Sequence, residues 1–257
     1  MRINKYLSAC GVCSRREADL LVASGRVQID GHTAERNSQA DENSCVMLDG
    51  KRISLPAEKT YLKLYKPRGI ECTFDRRVKN NLGDYLHYPG RVTYAGRLDR
   101  NSEGLLILTD DGDLIQKMMA ARFAHEKEYE VTVDRPVTDD FLNHMRQGVY
   151  LRELGVTTRP CRVLPEGGTD FRIILTQGLN RQIRRMCESL GYRVRSLRRV
   201  RVVNIMLEDM RPGDLRELSQ TEKDILFRQV MNSPAGSSEK QPEETAAGER
   251  KTDQENG

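Results

Sequence analysis

The sequence predicts an α+β protein in which a small N-terminal unit of helices and strands precedes a larger unit built on a mixed, mainly antiparallel sheet. Segments with strand-like alternation outnumber those with helical spacing, and strands and helices do not alternate regularly. Such an order is typical of α+β folds rather than of doubly wound parallel sheets. A chain of 257 residues is long enough for one large domain or two modest ones.

Residues 1–55 carry the signals of two short helices followed by short strands. For the first helix, Ile3, Leu7 and Cys10 recur at helical spacing, and Gly11 can end it. Two strand signals, "RVQIDG" and "CVMLDGKRI", each contain an Asp-Gly pair, which is typical of a tight hairpin turn. We therefore expect residues 1–55 to fold as a unit of their own.

The second helix of this unit has clear signals at both ends. Ser14 and Glu17 have the spacing of a capping box, and Gly25 is placed to end the helix. A solvated helix face is the usual place for charged side chains in such a helix. Three arginines lie at or near its ends: Arg15, Arg16 and Arg26.

Residues 56–60 are expected to be a linker, and residues 61–232 to form the larger unit. Strands are predicted within "YLKLYKPRGI", "GLLILTDDGDL", "EKEYEVTVD" and "DFRIILTQG". Helical spacing appears in "LIQKMMAARF" and again after Leu179. Strands therefore supply most of the predicted framework, as the α+β fold class requires.

The last 25 residues differ from the rest in composition. Residues 233–257 contain six acids, three bases and no Val, Ile, Leu, Met or aromatic residue, so we expect a disordered acidic tail. The tail is −3 and the chain is +4 overall, so residues 1–232 carry +7, which indicates an anionic partner. No apolar stretch reaches membrane-spanning length and no secretory signal is evident, which favours a cytoplasmic protein without a membrane partner.

Neither the cysteines nor the acidic turn predicts a metal site. The six cysteines are scattered, and the Cys10–Cys13 pair lacks the second pair that a zinc site would need. In the acidic turn "TDDGD", an EF-hand register would put Ile107 at the first ligand position. We interpret this turn as a helix start, with Asp113 capping a helix that begins at Leu114.

The segment 181–201 is unusually rich in arginine, with eight arginines and a single acid. At 100° per residue, the apolar residues of its helix form one stripe. Arg184 lies at the border of that stripe, and Arg181 and Arg185 lie on the opposite side. Because the guanidinium fork matches phosphate oxygens, and a solvated face would normally mix signs, this density predicts phosphate recognition.

Five blocks of the sequence occur in a characteristic order: "LYKPRGI", "AGRLDRNSEGLLILTDDGDL", "HEKEYEVTV", "LTQGLNRQIRRMCESLGYRVRSLRRVRV" and "GDLRELS". The second block is similar to the signature of the RsuA family of rRNA pseudouridine synthases, and the others follow the order found in that family. The resemblance covers residues 1 to about 230 and is strongest to the type that modifies 23S rRNA. Leu215 stands where many relatives have an aromatic residue, which we interpret as a packing variation. The N-terminal "INKYLSACGVCSRREADLLVASGRVQIDG" resembles the S-four (S4) type of RNA-binding domain.

The resemblance implies the isomerisation of a uridine to pseudouridine, a reaction that requires no cofactor and no metal. Asp99 is then the catalytic carboxylate, Arg184 the cation beside it, and Tyr129 the residue that stacks on the target base. Arg97 is a candidate to fill the space that the base leaves, and Lys66 is expected to be structural or to face phosphate. The RNA-binding residues implied are Arg15, Arg16, Arg26, Arg97, Arg181 and Arg185.

The resemblance also implies the partners of the chain. They are 23S rRNA or a ribosome assembly intermediate, with a tRNA as candidate second substrate and a monomer as the expected state. Two other classes remain open. A non-catalytic ribosomal RNA-binding or assembly protein would account for the basic helices, and a metal-dependent RNA hydrolase would use Asp113 and its neighbours to bind magnesium.

Overall fold

A computed structural model describes residues 1–231, so the predicted acidic tail at 233–257 lies outside the described residues. In the N-terminal part, helices and hairpins follow one another as the sequence predicts. Their bounds are α1 Ile3–Ala9, α2 Arg15–Ala23, β1 Val27–Ile29, β2 His32–Thr33, β3 Val46–Leu48 and β4 Lys51–Ile53.

The capping box and the two Asp-Gly turns form in the N-terminal part. The hydroxyl of Ser14 accepts from the backbone N–H of Glu17 at 3.2 Å, and the Glu17 carboxylate accepts from the backbone N–H of Ser14 at 2.7 Å. Asp30 and Asp49 both have φ of 51°, which is the left-handed conformation that tight hairpins need. The strands join in the order β2-β1-β3-β4 and pack with the helices around Ile3.

The larger part begins at Tyr61 and contains most of the strands. Its elements in chain order are β5 Tyr61–Lys66, α3 Leu82–Tyr85, β6 Thr93–Tyr94, β7 Glu103–Thr109, α4 Gly112–Met119, a 3-10 turn Ala121–Phe123, β8 Lys127–Val133, α5 Asp139–Gln147, β9 Tyr150–Leu151, β10 Val156–Thr157, β11 Arg162–Gly167, β12 Asp170–Leu175, α6 Gln182–Ser189, β13 Val194–Val202, β14 Ile205–Met206, β15 Leu215–Glu217 and α7 Gln220–Met231.

A nine-stranded sheet is the framework of this part. Seven strands follow the order β11-β12-β8-β13-β7-β5-β15, while β14 pairs with β13 and β6 pairs with β7. The pairing of β7 with β13 is parallel, and the other pairings in the sheet are antiparallel. The predicted α+β class with a mixed, mainly antiparallel sheet is confirmed. Leu215 lies in the edge strand β15 opposite Leu64 and packs on the core.

The two faces of the sheet are covered differently. Along β7, Leu105 and Ile107 pack with α4 and α7 on one face, and Leu106 and Leu108 pack with Leu98 and its neighbours on the other. Helices α5 and α6 cover β8 and β12. Among residues 1–231, no helix has the length and the apolar character needed to span a bilayer.

The start of α4 corrects one prediction. Asp111, rather than Asp113, caps this helix, because its carboxylate accepts from the backbone N–H groups of Asp113 and Leu114, both at 3.1 Å. Asp113 already lies inside the first turn, where its side chain cannot reach those groups. It binds Lys5 instead, with oxygens 2.6 and 2.8 Å from the ammonium nitrogen, and so links the N-terminal part to the larger one.

Helix α7 is an element that the sequence analysis did not predict. Its start carries a reciprocal capping box, in which the backbone N–H of Ser219 donates to the Glu222 carboxylate at 2.8 Å and the backbone N–H of Glu222 donates to the Ser219 hydroxyl at 3.2 Å. The spacing Ser-Gln-Thr-Glu is the same signal that predicted α2. The helix therefore could have been found from the sequence.

Candidate active site

Asp99 lies on a short loop, residues 95–102, that connects β6 to β7. Several hydrogen bonds hold the backbone of this loop, and two of them flank Asp99. The N–H of Leu98 donates to the Cys72 sulfur at 3.4 Å, and the N–H of Ser102 donates to the Asp99 carbonyl at 3.0 Å. Leu98 and Ser102 are buried while Asp99 is half-buried, so the carboxylate is held at the surface of a fixed turn.

Arg184 holds the same loop from the side of α6. One terminal nitrogen donates to the Asn101 carbonyl at 2.9 Å and to the Ser102 hydroxyl at 3.2 Å, and the other donates to the Val194 carbonyl at 3.3 Å. Burial, followed by the charge of Arg181, lowers the pKa of Arg184, whereas the charge of Asp99 acts in the opposite direction. Arg184 therefore fixes the last two residues of the loop and remains within electrostatic range of Asp99.

This geometry corrects the expected direct contact between Arg184 and Asp99. Within residues 1–231 the Asp99 carboxylate has no hydrogen bond and no ion pair shorter than 4.0 Å. The guanidinium donates instead to the carbonyls of Asn101 and Val194 and to the Ser102 hydroxyl. One nitrogen, Arg184 Nε, is buried and has no hydrogen-bond partner in the described part of the chain.

Tyr129 lies on β8, at the junction between the two apolar clusters on this face of the sheet. It is half-buried and packs against both the cluster under α5 and α6 and the cluster that contains Leu98. Its cross-strand neighbours are Ile173 on β12 and Arg199 on β13. The ring is thus on the same side of the sheet as the loop that carries Asp99.

A row of paired residues runs across the sheet beneath this region: Lys66, Gly104, Arg199 and Tyr129. Lys66 is fully buried, and its ammonium donates to the carbonyls of Pro67 and Ile70, both at 2.8 Å. Of the two roles expected for Lys66, these contacts support the structural one. Gly104 has φ of 105°, and a Cβ there would lie 2.3 Å from the carbonyl oxygen of Arg199.

The arginines of the N-terminal part are exposed, but they are not equally free. Arg15 and Arg16 are the first two residues of α2, and both are exposed. Arg26 forms a bidentate pair with Asp49, at 2.8 and 2.5 Å. In the larger part, Arg97 is exposed on the loop two residues before Asp99. Phosphate contact by Arg26 would therefore have to compete with its own carboxylate partner.

A cleft of about 1520 Å³ separates the N-terminal part from the larger part. Basic side chains from both parts line it, among them Arg15, Arg26, Lys59, Arg76 and Arg91. Lys5 with Asp113 and Arg91 with Glu17, the latter at 3.5 Å, are ion pairs that join the two sides. Exposed surface pairs of this kind each contribute little to stability.

The arginine-rich segment is only partly available to phosphate, which corrects the prediction drawn from its density. Arg185 pairs with Glu153 and donates to the Asn180 carbonyl at 3.0 Å, so it does not simply face solvent. Arg181 is exposed at the N-terminal end of α6, with φ of 51°. Two more arginines of the segment are paired with carboxylates in or directly before β8. Arg198 pairs with Glu130, and Arg201 pairs with Glu126 and Glu128.

Arg199 and Lys127 are buried residues that the sequence analysis did not single out. Arg199 is 1% exposed and Lys127 is 9% exposed. The burial of Arg199 could have been predicted, because it follows Leu197 by two residues in a strand and such residues lie on the same face. Within residues 1–231, no group of three or more His, Cys, Asp or Glu side chains is arranged to hold a metal ion.

Comparison with known proteins agrees with this architecture. The family model described as RNA pseudouridylate synthase matches residues 60–189, and the S4 domain model matches residues 1–40. Over 249 residues the chain is 43% identical to the dual-specificity RNA pseudouridine synthase RluF of Escherichia coli O6:H1, which covers 96% of this chain and 84% of that protein. It is 36% identical over 240 residues to an RNA pseudouridine synthase of Aquifex aeolicus, across 91% of this chain and 99% of the other.

A solved structure has the same fold over most of the chain. The crystal structure of a pseudouridylate synthase superposes with a TM-score of 0.65 at 26% identity, and covers 88% of this chain and 99% of its own. The Asp99 loop, Tyr129 and α6 all lie within the matched residues 60–189. The chain therefore belongs to the RNA pseudouridylate synthase family, in its RsuA-type branch, with an S4 domain ahead of the catalytic part.

Proposed function

We propose that this protein isomerises a specific uridine of 23S rRNA to pseudouridine, with Asp99 as the catalytic carboxylate. The observation that carries the proposal is a half-buried carboxylate with no side-chain partner among residues 1–231, on a loop that Arg184 fixes and on the face of the sheet that carries Tyr129. A site with one free, oriented carboxylate suits chemistry at a sugar carbon.

The reaction exchanges one bond of the uridine for another. The bond between N1 and the ribose C1′ breaks, the base rotates, and C5 bonds to C1′; the C5 proton leaves and N1 gains a proton. Asp99 either attacks the sugar or assists loss of a proton from it, as carboxylates do in glycoside chemistry. Both roles need an ionised carboxylate.

Tyr129, Arg184 and Arg97 have different parts in this proposal. Tyr129 stacks on the target base, since it is a half-buried aromatic ring between two apolar clusters. Arg184 fixes the loop and supplies positive charge. A base must first leave the RNA stack, which costs a few kcal/mol. Arg97, exposed two residues before Asp99, fills the space that the base leaves.

RNA binding is assigned to arginines on both sides of the cleft. They are Arg15, Arg16 and Arg26 in the N-terminal part and Arg97, Arg181 and Arg185 in the larger part. Arg15 and Arg26 line the cleft, which supports a path for RNA between the two parts. Arg76 and Arg91 line the same cleft from the larger part, and cationic side chains on both sides suit recognition of structured RNA by phosphate and shape.

Further features of the proposal concern partners and location. We assign 23S rRNA or a ribosome assembly intermediate as the first substrate and a tRNA as the second, acted on in the cytoplasm by a monomer. The name of the Escherichia coli relative states dual specificity, which supports a second RNA substrate. A purely RNA-binding protein would not need the Asp99 loop or the contacts by which Arg184 holds it.

Incubation of the purified protein with unmodified 23S rRNA and with unmodified tRNA, followed by mapping of pseudouridine, tests the proposal. We expect one new pseudouridine in 23S rRNA, in excess chelator as well as without it. RNA that is bound but unmodified would favour the non-catalytic alternative, and RNA cleavage that stops in chelator would favour the metal-dependent hydrolase.

Deletion of residues 1–58 should weaken RNA binding by about tenfold or more, because a linked binding module is lost, while the catalytic part stays folded. The apolar cores support this division, since the N-terminal cluster contains residues up to Leu55 and the other three begin at Tyr61 or later. Thermal unfolding and RNA titration of the truncated chain are the measurements. An insoluble or unfolded product would show that the boundary is wrong.

Arg181→Gln and Arg184→Gln should separate affinity from rate. Loss of a phosphate contact at Arg181 should reduce the slope of log affinity against log salt by about one unit. Loss of buried Arg184 should leave that slope nearly unchanged and lower the single-turnover rate under saturating enzyme. Arg185→Gln, whose partner is Glu153, provides a comparison on the same helix. The opposite pattern, with Arg181→Gln inactive and Arg184→Gln changed only in salt slope, would refute these assignments.

A further inference from the structure

Among residues 1–231, four cations are buried around Tyr129 and the Asp99 loop without a carboxylate in direct contact. Lys66, Lys127, Arg184 and Arg199 are 0%, 9%, 7% and 1% exposed. Within residues 1–231 none of the four has a carboxylate oxygen closer than 4.0 Å. Buried charges are ordinarily paired, so this arrangement needs an explanation.

The hydrogen bonds of these groups satisfy donors but do not balance charge. Lys127 donates to the His125 carbonyl at 3.3 Å, and Arg199 Nε donates to the Leu105 carbonyl at 2.8 Å. Two guanidinium nitrogens, Arg184 Nε and Arg199 Nη2, are buried with no partner among the described residues. Neutral carbonyls accept hydrogen bonds without cancelling a positive charge, so the group as a whole stays cationic.

Lys63 provides the contrast within the same sheet. It is as buried as the others, at 4% exposed, but its ammonium lies 2.7 Å from Glu208 and 2.8 Å from Glu222. Burial would lower the pKa of Lys63, yet these carboxylates carry it above its ordinary value. Burial lowers the pKa of Lys66, and burial with the charge of Arg199 lowers the pKa of Lys127 to about 8. The fold can therefore pair a buried lysine, but does not do so near Tyr129.

Arg199 lies at the centre of this group. It is the cross-strand neighbour of Tyr129, and its charge acts on both Lys66 and Lys127. Gly104, the residue between Lys66 and Arg199 in the pairing, has no side chain to separate them. Paired residues direct their side chains to the same face of a sheet, so Lys66 and Arg199 lie on the face that carries Tyr129, with Arg199 directly beside it.

We propose that Arg199 is a positioning residue for the isomerisation: with Lys66 and Lys127 it forms a fixed positive floor that holds the uracil while it is detached from the ribose. The inference rests on the function proposed above. In both roles open to Asp99, the electron pair of the broken N1–C1′ bond stays on uracil, which becomes an anion with charge on N1, O2 and O4. That charge disappears when C5 bonds to C1′, the C5 proton leaves and N1 is protonated. Fixed cations that meet charge only as it develops lower the barrier.

Arg199→Met and Arg199→Lys test this role, with Lys63→Met as the matched control. Methionine removes an unbalanced buried charge, so thermal stability should stay the same or rise. The single-turnover rate of Arg199→Met should nevertheless fall by about 10- to 100-fold, with RNA affinity within about twofold. Arg199→Lys keeps the charge and should recover most of the rate. Lys63→Met should lower stability, since it strands Glu222, and leave the rate within about twofold.

A wild-type rate for Arg199→Met would overturn the inference. It would also be overturned if Arg199→Met and Arg199→Lys lost rate to the same extent and stability to the same extent. If Arg199→Met does not fold, Lys127→Met replaces it, with a slower reaction at unchanged stability expected and a wild-type rate refuting the proposal. The wild-type protein and Asp99→Asn belong in the same assay. An inactive wild-type protein would refute the proposed function itself, whereas an active wild-type protein, an inactive Asp99→Asn and a fully active Arg199→Met would refute only the positive floor.

Discussion

Asp99→Asn should abolish pseudouridine formation and leave the folded protein and its RNA affinity nearly unchanged. The amide keeps the size of the side chain and removes the charge that either catalytic role requires. We expect the single-turnover rate to fall by about 10³-fold or more, as for other catalytic carboxylates. The measurement is conversion of the target uridine under saturating enzyme, together with RNA titration and thermal unfolding.

The structure makes the stability part of this prediction specific. The Asp99 carboxylate is half-buried and has no ion pair within residues 1–231, so no partner is left stranded by the substitution. The free energy of unfolding should change by no more than about 0.5 kcal/mol. Asp113→Asn is the control, because Asp113 is the residue that a metal-dependent hydrolase would need. Full activity of Asp99→Asn, or loss of activity in Asp113→Asn alone, would contradict the proposed mechanism.

Local features of the fold could be predicted because their determinants lie within a few residues of one another. The capping box of Ser14 and Glu17 spans three residues, and each hairpin turn depends on one Asp-Gly pair. The fold class followed from the same kind of evidence, the periodicity of short segments. The cap of α4 shows the limit of this reasoning, since Asp111 and Asp113 both lie in the same acidic turn and only the backbone geometry selects Asp111.

Contacts between distant segments could not be predicted in this way. The arginine-rich segment looked unbalanced because its carboxylate partners lie far away in the sequence. Glu130 is 68 residues from Arg198 and Glu126 is 75 residues from Arg201. The sequence also could not tell which arginine stays unbalanced. Arg199 is in the same run as Arg198, yet alternation along β13 sends it to the opposite, buried face.

The sequence predicted which residues form the candidate site, but not how they contact one another. Asp99, Tyr129 and Arg184 came from the resemblance of short blocks, and their roles stay predictions until the variants above are measured. The resemblance implied that Arg184 is the cation beside Asp99, whereas the guanidinium donates to Asn101 and Ser102 and makes no direct contact with the carboxylate among residues 1–231. The helical wheel put Arg184 at the border of the apolar stripe, which allowed an inward direction but not the choice of a partner on another loop.

Gly104→Ala should destabilise the catalytic part by about 3–5 kcal/mol, because it combines backbone strain with a steric conflict that no side chain can relieve. Gly104 has φ of 105°, and a Cβ there would meet the carbonyl oxygen of Arg199 at 2.3 Å and its nitrogen at 2.7 Å. Both atoms belong to the parallel pairing of β7 with β13, so relief requires those strands to separate. Gly167→Ala is the matched control, since Gly167 has φ of 97° with nothing within 4 Å of its Cβ, and it should cost only about 1–2 kcal/mol. Denaturant unfolding of the two variants measures the difference. Equal losses of stability would mean that the conformation of Gly104, and not the close approach of β13, makes glycine necessary five residues after Asp99.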